Sequence, residues 1–182
     1  MAAARILGRN RVVRVGVGLN RWSPDGVQYP VVVCGLAGSL LARVLPGTVL
    51  VPTVVGLEDG RRLPLDQGMS EALSDAAEGL GYRVERGDML TSRCIVTGEA
   101  RVRWAAEGFA GADMETGILA AHGLRVATIR VVLDTPTHPI SDLWTGPRAA
   151  LSPGLLRELI WMARYAPAFA LRSAGVVRVA GL

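Results

Sequence analysis

The sequence predicts a layered α/β domain, and three observations carry that reading. Short runs rich in valine and isoleucine, several almost continuously apolar, read as strands covered on both faces. Between them lie stretches whose apolar residues recur at helical spacing. The composition is 50% hydrophobic, with 22 glycines and 5% aromatics, which suits helices packed closely on a sheet. A chain of 182 residues is expected to form one domain, 1–182, around a sizeable core.

Taken in order, strands are expected over Val12–Val17, Pro30–Cys34, Thr48–Val55, Asp88–Val96 and Arg125–Leu133. Asp66–Leu80 carries Met69, Leu73, Ala76, Ala77 and Leu80 at helical spacing, with Gly79 and Gly81 to close it. Glu115–His122 is also helical in pattern and ends at Gly123. Thr135–Leu151, with Pro136, Pro139 and Pro147, reads as an irregular loop of the kind that often carries function. A last helix opens with Ser152 as N-cap and Pro153 as its first residue, where no amide donor is needed. Leu155, Leu156, Leu159, Ile160 and Met162 give it an apolar stripe, which Pro167 interrupts.

Composition also narrows the function. The net charge is +4, and all 20 basic residues are arginine. Arg5, Arg9, Arg11, Arg14 and Arg21 group loosely at the start and the rest are scattered, so no basic face suited to nucleic acid emerges. Cys34 and Cys94 lie in or beside apolar segments and read as buried free thiols. His122 and His138 offer no metal-ligand spacing. No apolar run approaches the ~20 residues that span a bilayer, so a cytoplasmic location is expected. His138, Ser141 and Asp142 sit in one proline-rich loop, and such clustering is no evidence for a triad. Gly16, Gly18 and Arg21 lack the third glycine of a dinucleotide fingerprint. Trp144 and Trp161 are read as packing residues.

Four segments remain that could carry chemistry. Cys34-Gly35-Leu36-Ala37-Gly38-Ser39-Leu40, followed by Pro46-Gly47-Thr48-Val49-Leu50-Val51-Pro52, reads as a tight strand-to-helix turn. Gly111-Ala112-Asp113-Met114-Glu115-Thr116-Gly117 places two acids near a helix start, where the helix dipole favours them. Ile129-Arg130-Val131-Val132-Leu133-Asp134 ends a strand on an Asp. Ile95-Val96-Thr97-Gly98-Glu99-Ala100-Arg101-Val102 reads as a strand ending in a glycine turn.

In this order, over about residues 11 to 144, the segments resemble the nucleoside phosphorylase/nucleosidase family, which cleaves N-glycosidic bonds. The resemblance implies a three-layer α/β/α sandwich with a central mixed sheet. It implies that Gly35, Ala37 and Gly38 bring backbone close to the sugar or an anion, that Met114 packs under the ribose, and that Glu115 accepts from its hydroxyls. Asp134 would be the general acid that protonates the departing purine, with Arg101 and Val102 beside the base. No cofactor is implied, although inorganic phosphate is a candidate co-substrate. A small-molecule nucleoside and a second copy of the chain are the expected partners, nucleic acid is not, and membrane contact through the C-terminal helix is the weaker expectation. The hopanoid-associated phosphorylases, which remove adenine from adenosylhopane, are the subgroup it is most similar to, with Asp59–Arg62 and the apolar C-terminal tail adding to the match.

Two departures qualify the match. Members begin with a further strand and loop carrying an anion-binding residue or a water-activating Glu, and Met1–Asn10 is too short to supply it. The match starts at Val12–Asn20, where Val15-Gly16-Val17-Gly18 resembles the family's second strand and glycine-rich turn. Arg101 stands where many members place an aromatic that stacks on the base. Arg21, Arg43 and Arg130 are phosphate candidates by charge alone, with Arg130 read as structural. The expectation is therefore an N-glycosidic enzyme, with a catalytically silent nucleoside-binding or scaffolding relative as its alternative.

Overall fold

The computed structural model describes residues 12–141 and 153–182. Eight strands form one sheet: β1 (Val31–Ser39), β2 (Val49–Leu50), β3 (Val54–Leu57), β4 (Arg62–Pro64), β5 (Val84–Glu85), β6 (Met89–Thr91), β7 (Gly111–Asp113) and β8 (Val126–Asp134). Their order is β4-β3-β6-β7-β1-β8-β2-β5. The sheet is mixed: β1 and β8, β3 and β6, β6 and β7, and β2 and β5 run parallel, while β1/β7, β2/β8 and β3/β4 are antiparallel. Among the described residues four helices accompany it: α1 (Gln67–Gly79), α2 (Gly98–Ala106), α3 (Thr116–Ala121) and α4 (Pro153–Val179).

Central strand β8 organises the molecule. All nine of its residues are buried, as a strand covered on both faces must be. Alternation sorts them. Ala127, Ile129, Val131 and Leu133 join the main apolar core, with Leu73 and Ala77 of α1 and Phe169, Val176 and Val177 of α4. The opposite face carries Thr128, Arg130, Val132 and Asp134. There Thr128 meets Thr116 of α3 through their hydroxyls at 3.1 Å. The polar residues of β8 thus share one face, and its last residue, Asp134, lines the candidate site.

Several expected elements need correction. Val12–Val17 forms no strand: Gly16, Gly18 and Leu19 adopt positive φ, and Val17–Leu19 is a single 3-10 turn. Thr48–Val55 divides into β2 and β3, because Pro52 has no amide for a ladder. Asp88–Val96 keeps only Met89–Thr91 as strand. The Gly35–Gly38 segment is not a turn but the interior of β1, with a register shift between Ala37 and Gly38. Gly98–Val102 belongs to α2 rather than to a strand end.

The helices follow their signals more closely. Asp66 caps α1 by accepting from the Met69 amide at 2.9 Å, and Gly81 turns the chain with φ 76°. Helix α4 continues through Pro167. A proline frees the carbonyl four residues earlier, here that of Ala163, and both residues are exposed to water. The proposed N-cap Ser152 lies outside the described residues, as do Asp142, Trp144, Pro147, Arg5, Arg9 and Arg11. Among the described residues no helix is long and apolar enough to cross a membrane.

Candidate active site

A cleft of about 240 Å³ opens where β1 and β8 end, between the start of α2 and the start of α3. Ala37, Gly38, Arg101, Met114, Glu115 and Asp134 all line it. Six of the eight residues singled out from sequence are therefore brought together. Gly35 and Val102 are not in the lining. Val102 follows Arg101 on a helix, where successive side chains point about 100° apart. Arg101 turns inward with 5% of its surface exposed, and Val102 turns out with 71%.

The two glycines of β1 stand opposite large polar side chains of β8. A Cβ at Gly38 would stand 2.8 Å from Asp134 Oδ2, and one at Gly35 would stand 2.8 Å from Arg130 Nη1. Neither glycine has a positive φ. They leave room on β1 for the large polar side chains of its neighbour β8. Gly38 also borders the cleft, whereas Gly35 serves Arg130 behind it.

At the α3 end, Asp113 and Glu115 divide the work. Asp113 is buried and takes over the helix start, accepting from the Thr116 amide at 3.2 Å and from the Thr116 hydroxyl. Its other oxygen accepts from Thr91 Oγ1 at 2.6 Å. Glu115 is thereby free of capping duty and lies at the cleft wall. Its Oε1 accepts from the Gly18 amide at 2.9 Å, and its Oε2 from Arg130 Nη2 at 2.9 Å. The glycine-rich turn at Val15–Gly18 thus has a defined contact: it positions the Glu115 carboxylate.

Arg130, read from the sequence as structural, pairs with both acids. Its Nη2 also donates to Asp113 Oδ2 at 2.5 Å, and its Nε is buried with no partner among the described residues. Burial alone would weaken its hold on the proton, but Asp113 and Glu115 outweigh that and raise its pKa above the ordinary arginine value. It stands four residues before Asp134 on the same face of β8, which is the signal that could have placed it at the site. The other arginines considered for an anion are elsewhere: Arg43 pairs with Glu85, and Arg21 is exposed outside the lining.

At the opposite end Asp134 is held from both sides. Its Oδ1 accepts from the Ile140 amide at 2.8 Å, and its Oδ2 from Arg101 Nη2 at 2.5 Å. Burial pushes its pKa above the ordinary carboxylate value, against the pull of Arg101. Arg101 in turn donates Nε and Nη2 to the Val96 carbonyl, at 3.2 and 3.0 Å. Trp161 of α4 donates to the Leu133 carbonyl at 3.3 Å and stacks on His138, which supports the loop that follows Asp134. Trp161 is thus a packing residue, and His138 stacks on it while its Nδ1 lies 3.3 Å from Thr137 Oγ1.

Outside the cleft, a larger hollow of about 520 Å³ is lined by residues such as Val13, Trp22, Tyr29, Val32 and Leu119, with no acidic or basic side chain among the described residues. Of the two free thiols, Cys34 is half-buried, and burial raises its pKa. Cys94 is exposed, contrary to the buried reading. Among the described residues no group of histidine, cysteine or acidic side chains is arranged to hold a metal ion.

No protein-family model and no curated protein matches this sequence. Solved structures do. The 5'-methylthioadenosine/S-adenosylhomocysteine nucleosidase of Neisseria meningitidis, in complex with methylthio-immucillin-A, superposes with a TM-score of 0.63 at 20% identity, over 84% of this chain and 68% of that one. Futalosine hydrolase of Helicobacter pylori gives 0.62 at 13% identity, over 84% and 67%. The S-adenosylhomocysteine nucleosidase of Streptococcus pyogenes gives 0.63 at 14%, over 83% and 66%. Likeness at such identities speaks for architecture, and with the mixed eight-stranded sheet it establishes that this chain has the nucleoside phosphorylase/nucleosidase-like α/β fold.

Proposed function

We propose that the protein cleaves the N-glycosidic bond of a purine nucleoside-like substrate held in this cleft. One observation carries the reading: a buried carboxylic acid with a raised pKa, Asp134, shares the cleft with the Met114–Glu115 pair. Bond cleavage needs a proton for the departing base and a grip on the sugar. A carboxyl group with a raised pKa suits the first task. A thioether floor and a carboxylate facing two hydroxyls suit the second. The activities of the similar solved structures, named as nucleosidases and a futalosine hydrolase, agree with it.

In this reading Glu115, fixed by Gly18 and Arg130, binds the ribose hydroxyls over Met114. Asp134 meets the base, and the backbone at Ala37–Gly38 lies alongside. Positive charge develops on the sugar as the bond breaks, and the carboxylates lining the cleft stabilise it. Whether water or phosphate then attacks decides between hydrolase and phosphorylase. Arg130 has the charge for an anion, but its Nη2 is already shared by Asp113 and Glu115, which favours water.

A second reading, a silent nucleoside-binding relative, is favoured by one specific contact: the Arg101–Asp134 ion pair occupies the carboxylate that must act as acid. Base release from a nucleoside panel that includes lipid-linked adenosine, with and without phosphate, separates the readings. Release without phosphate is expected. Nucleoside binding with no release under either condition would establish the silent reading.

A further inference from the structure

Strand β1 stands fifth of eight in the sheet, yet over most of its length it has a neighbour on one side only. Towards β8 it is paired from Val31 to Gly38. Towards β7 it is paired at Gly38 and Ser39 alone, because β7 ends at Asp113 and the chain turns into α3. Three of the nine residues of β1 are buried, against all nine of β8. Val31 donates its amide to the Arg125 carbonyl, so Val31 and Val33 turn their backbone groups towards β8. Val32 and Cys34 turn theirs the other way, and there neither amide nor carbonyl has a hydrogen-bond partner among the described residues. A flank left like this is a sheet edge, and an edge is a template for a further strand.

The hollow of about 520 Å³ lies along that flank and is lined by residues 31–34. Successive residues of a guest strand would face its two walls in turn. Val15, Trp22 and Leu119 form the wall on the α3 side, and Val177 and Leu182 the wall on the α4 side. Both walls are apolar, so a fitting guest is uncharged and apolar at every position rather than at alternate ones. Amides and carbonyls at strand spacing are matched by an extended peptide backbone, which a lipid or a small molecule lacks. All eight strands of the chain already have places in the sheet. We propose that this hollow binds an extended apolar segment of another polypeptide, paired with Val32 and Cys34 as an added strand. Main-chain hydrogen bonds hold the guest, and the two walls select its side chains. Strand β1 continues from the hollow to the cleft, which Leu36, Ala37 and Gly38 line, so the guest lies next to the site. This binding does not depend on the cleft's acting on an N-glycosidic bond.

The probe is a capped synthetic peptide of alternating valines and isoleucines, five in all, with a lysine at each end. Calorimetry with the full chain is expected to show one peptide bound per chain, and a glutamate at the peptide's centre should abolish binding. N-methylation of one alternate set of its amides removes the bonds to β1, whereas methylation of the other set leaves them. The two methylated forms should therefore differ in affinity about ten-fold or more. In the free protein, hydrogen exchange should be fast at Val32 and Cys34 and slow at Val33, and the peptide should slow the first two. No binding would overturn the proposal. Equal affinity of the two methylated forms would overturn it as well, since it would mean apolar adhesion without strand pairing. Slow exchange at Val32 and Cys34 without peptide would also overturn it. The flank would then be covered by the chain itself or by a second copy, and sedimentation would say which.

Discussion

The two ends of the cleft are each built on a buried arginine facing carboxylates, and they are built differently. Arg130 is enclosed by the acidic pair Asp113 and Glu115, with Gly35 vacated to admit it. It works as a fixed positive anchor that holds Glu115 to the wall. Arg101 meets one oxygen of one acid through Nη2 and a backbone carbonyl through Nε and Nη2. The difference lies in the acids: two carboxylates hold Arg130 through Nη2 while its Nε stays unpaired, and one carboxylate with one backbone carbonyl holds Arg101 through Nη2 and Nε.

The sharpest way to break this contrast is to delete the anchor. Arg130→Met leaves Asp113 and Glu115 buried without their cation. Removing one partner of a buried pair costs about 3–5 kcal/mol, and urea denaturation should show a loss of that size. A loss under about 1 kcal/mol would mean that the α3 end relaxes easily and is no more fixed than the Arg101 end.

Next in size is the acid itself. Asp134→Asn keeps the shape and removes the proton donor, and general acid catalysis contributes about 10²–10⁴-fold. Base release should fall by that factor while nucleoside binding persists. Unchanged release would move the chemistry away from Asp134. Gly38→Ala is a milder probe of the same carboxylate. The new Cβ would lie 2.8 Å from Asp134 Oδ2. Overpacking of this kind costs about 1–3 kcal/mol, and the displaced carboxylate should slow base release. Gly35→Ala makes the comparison at the other end: it presses on Arg130, so it should lower stability with the smaller effect on release.

These contacts explain what the sequence disclosed and what it withheld. Strand β8 and helix α1 were legible because each is long enough for its period to show, and α1 also carries Asp66 as cap. Strands β4, β5 and β7 have two or three residues each, too few for any period. Val12–Val17 misled because its valines invite a strand while the glycines among and after them impose a turn. At the site, Met114, Glu115 and Asp134 were readable as motif residues, but the purpose of Gly35 and Gly38 was not. It depends on which residues of β1 stand opposite Arg130 and Asp134, a register that no local pattern carries. Arg101 and Val102 were read as a pair, and only the helix separates them.

The smallest expected effect is in pH, and it tests how completely Arg101 controls its partner. Burial raises the pKa of Asp134 more than Arg101 lowers it. The unfolded chain returns this group to the ordinary Asp value of about 3.9. Between those two values the folded protein holds more protons than the unfolded one. The contribution of Asp134 to stability is therefore full below about pH 3.9 and is lost as pH rises through the raised folded value. Asp134→Asn has no such titration. The difference in unfolding free energy between wild type and Asp134→Asn should accordingly shift against the wild type as pH rises through that window, and urea titrations of both proteins across it measure the slope. A flat difference would mean that Arg101 keeps Asp134 ionised throughout. In that case the acid would have no proton to give, and the base end of the cleft would be as firmly locked as the end that Arg130 anchors.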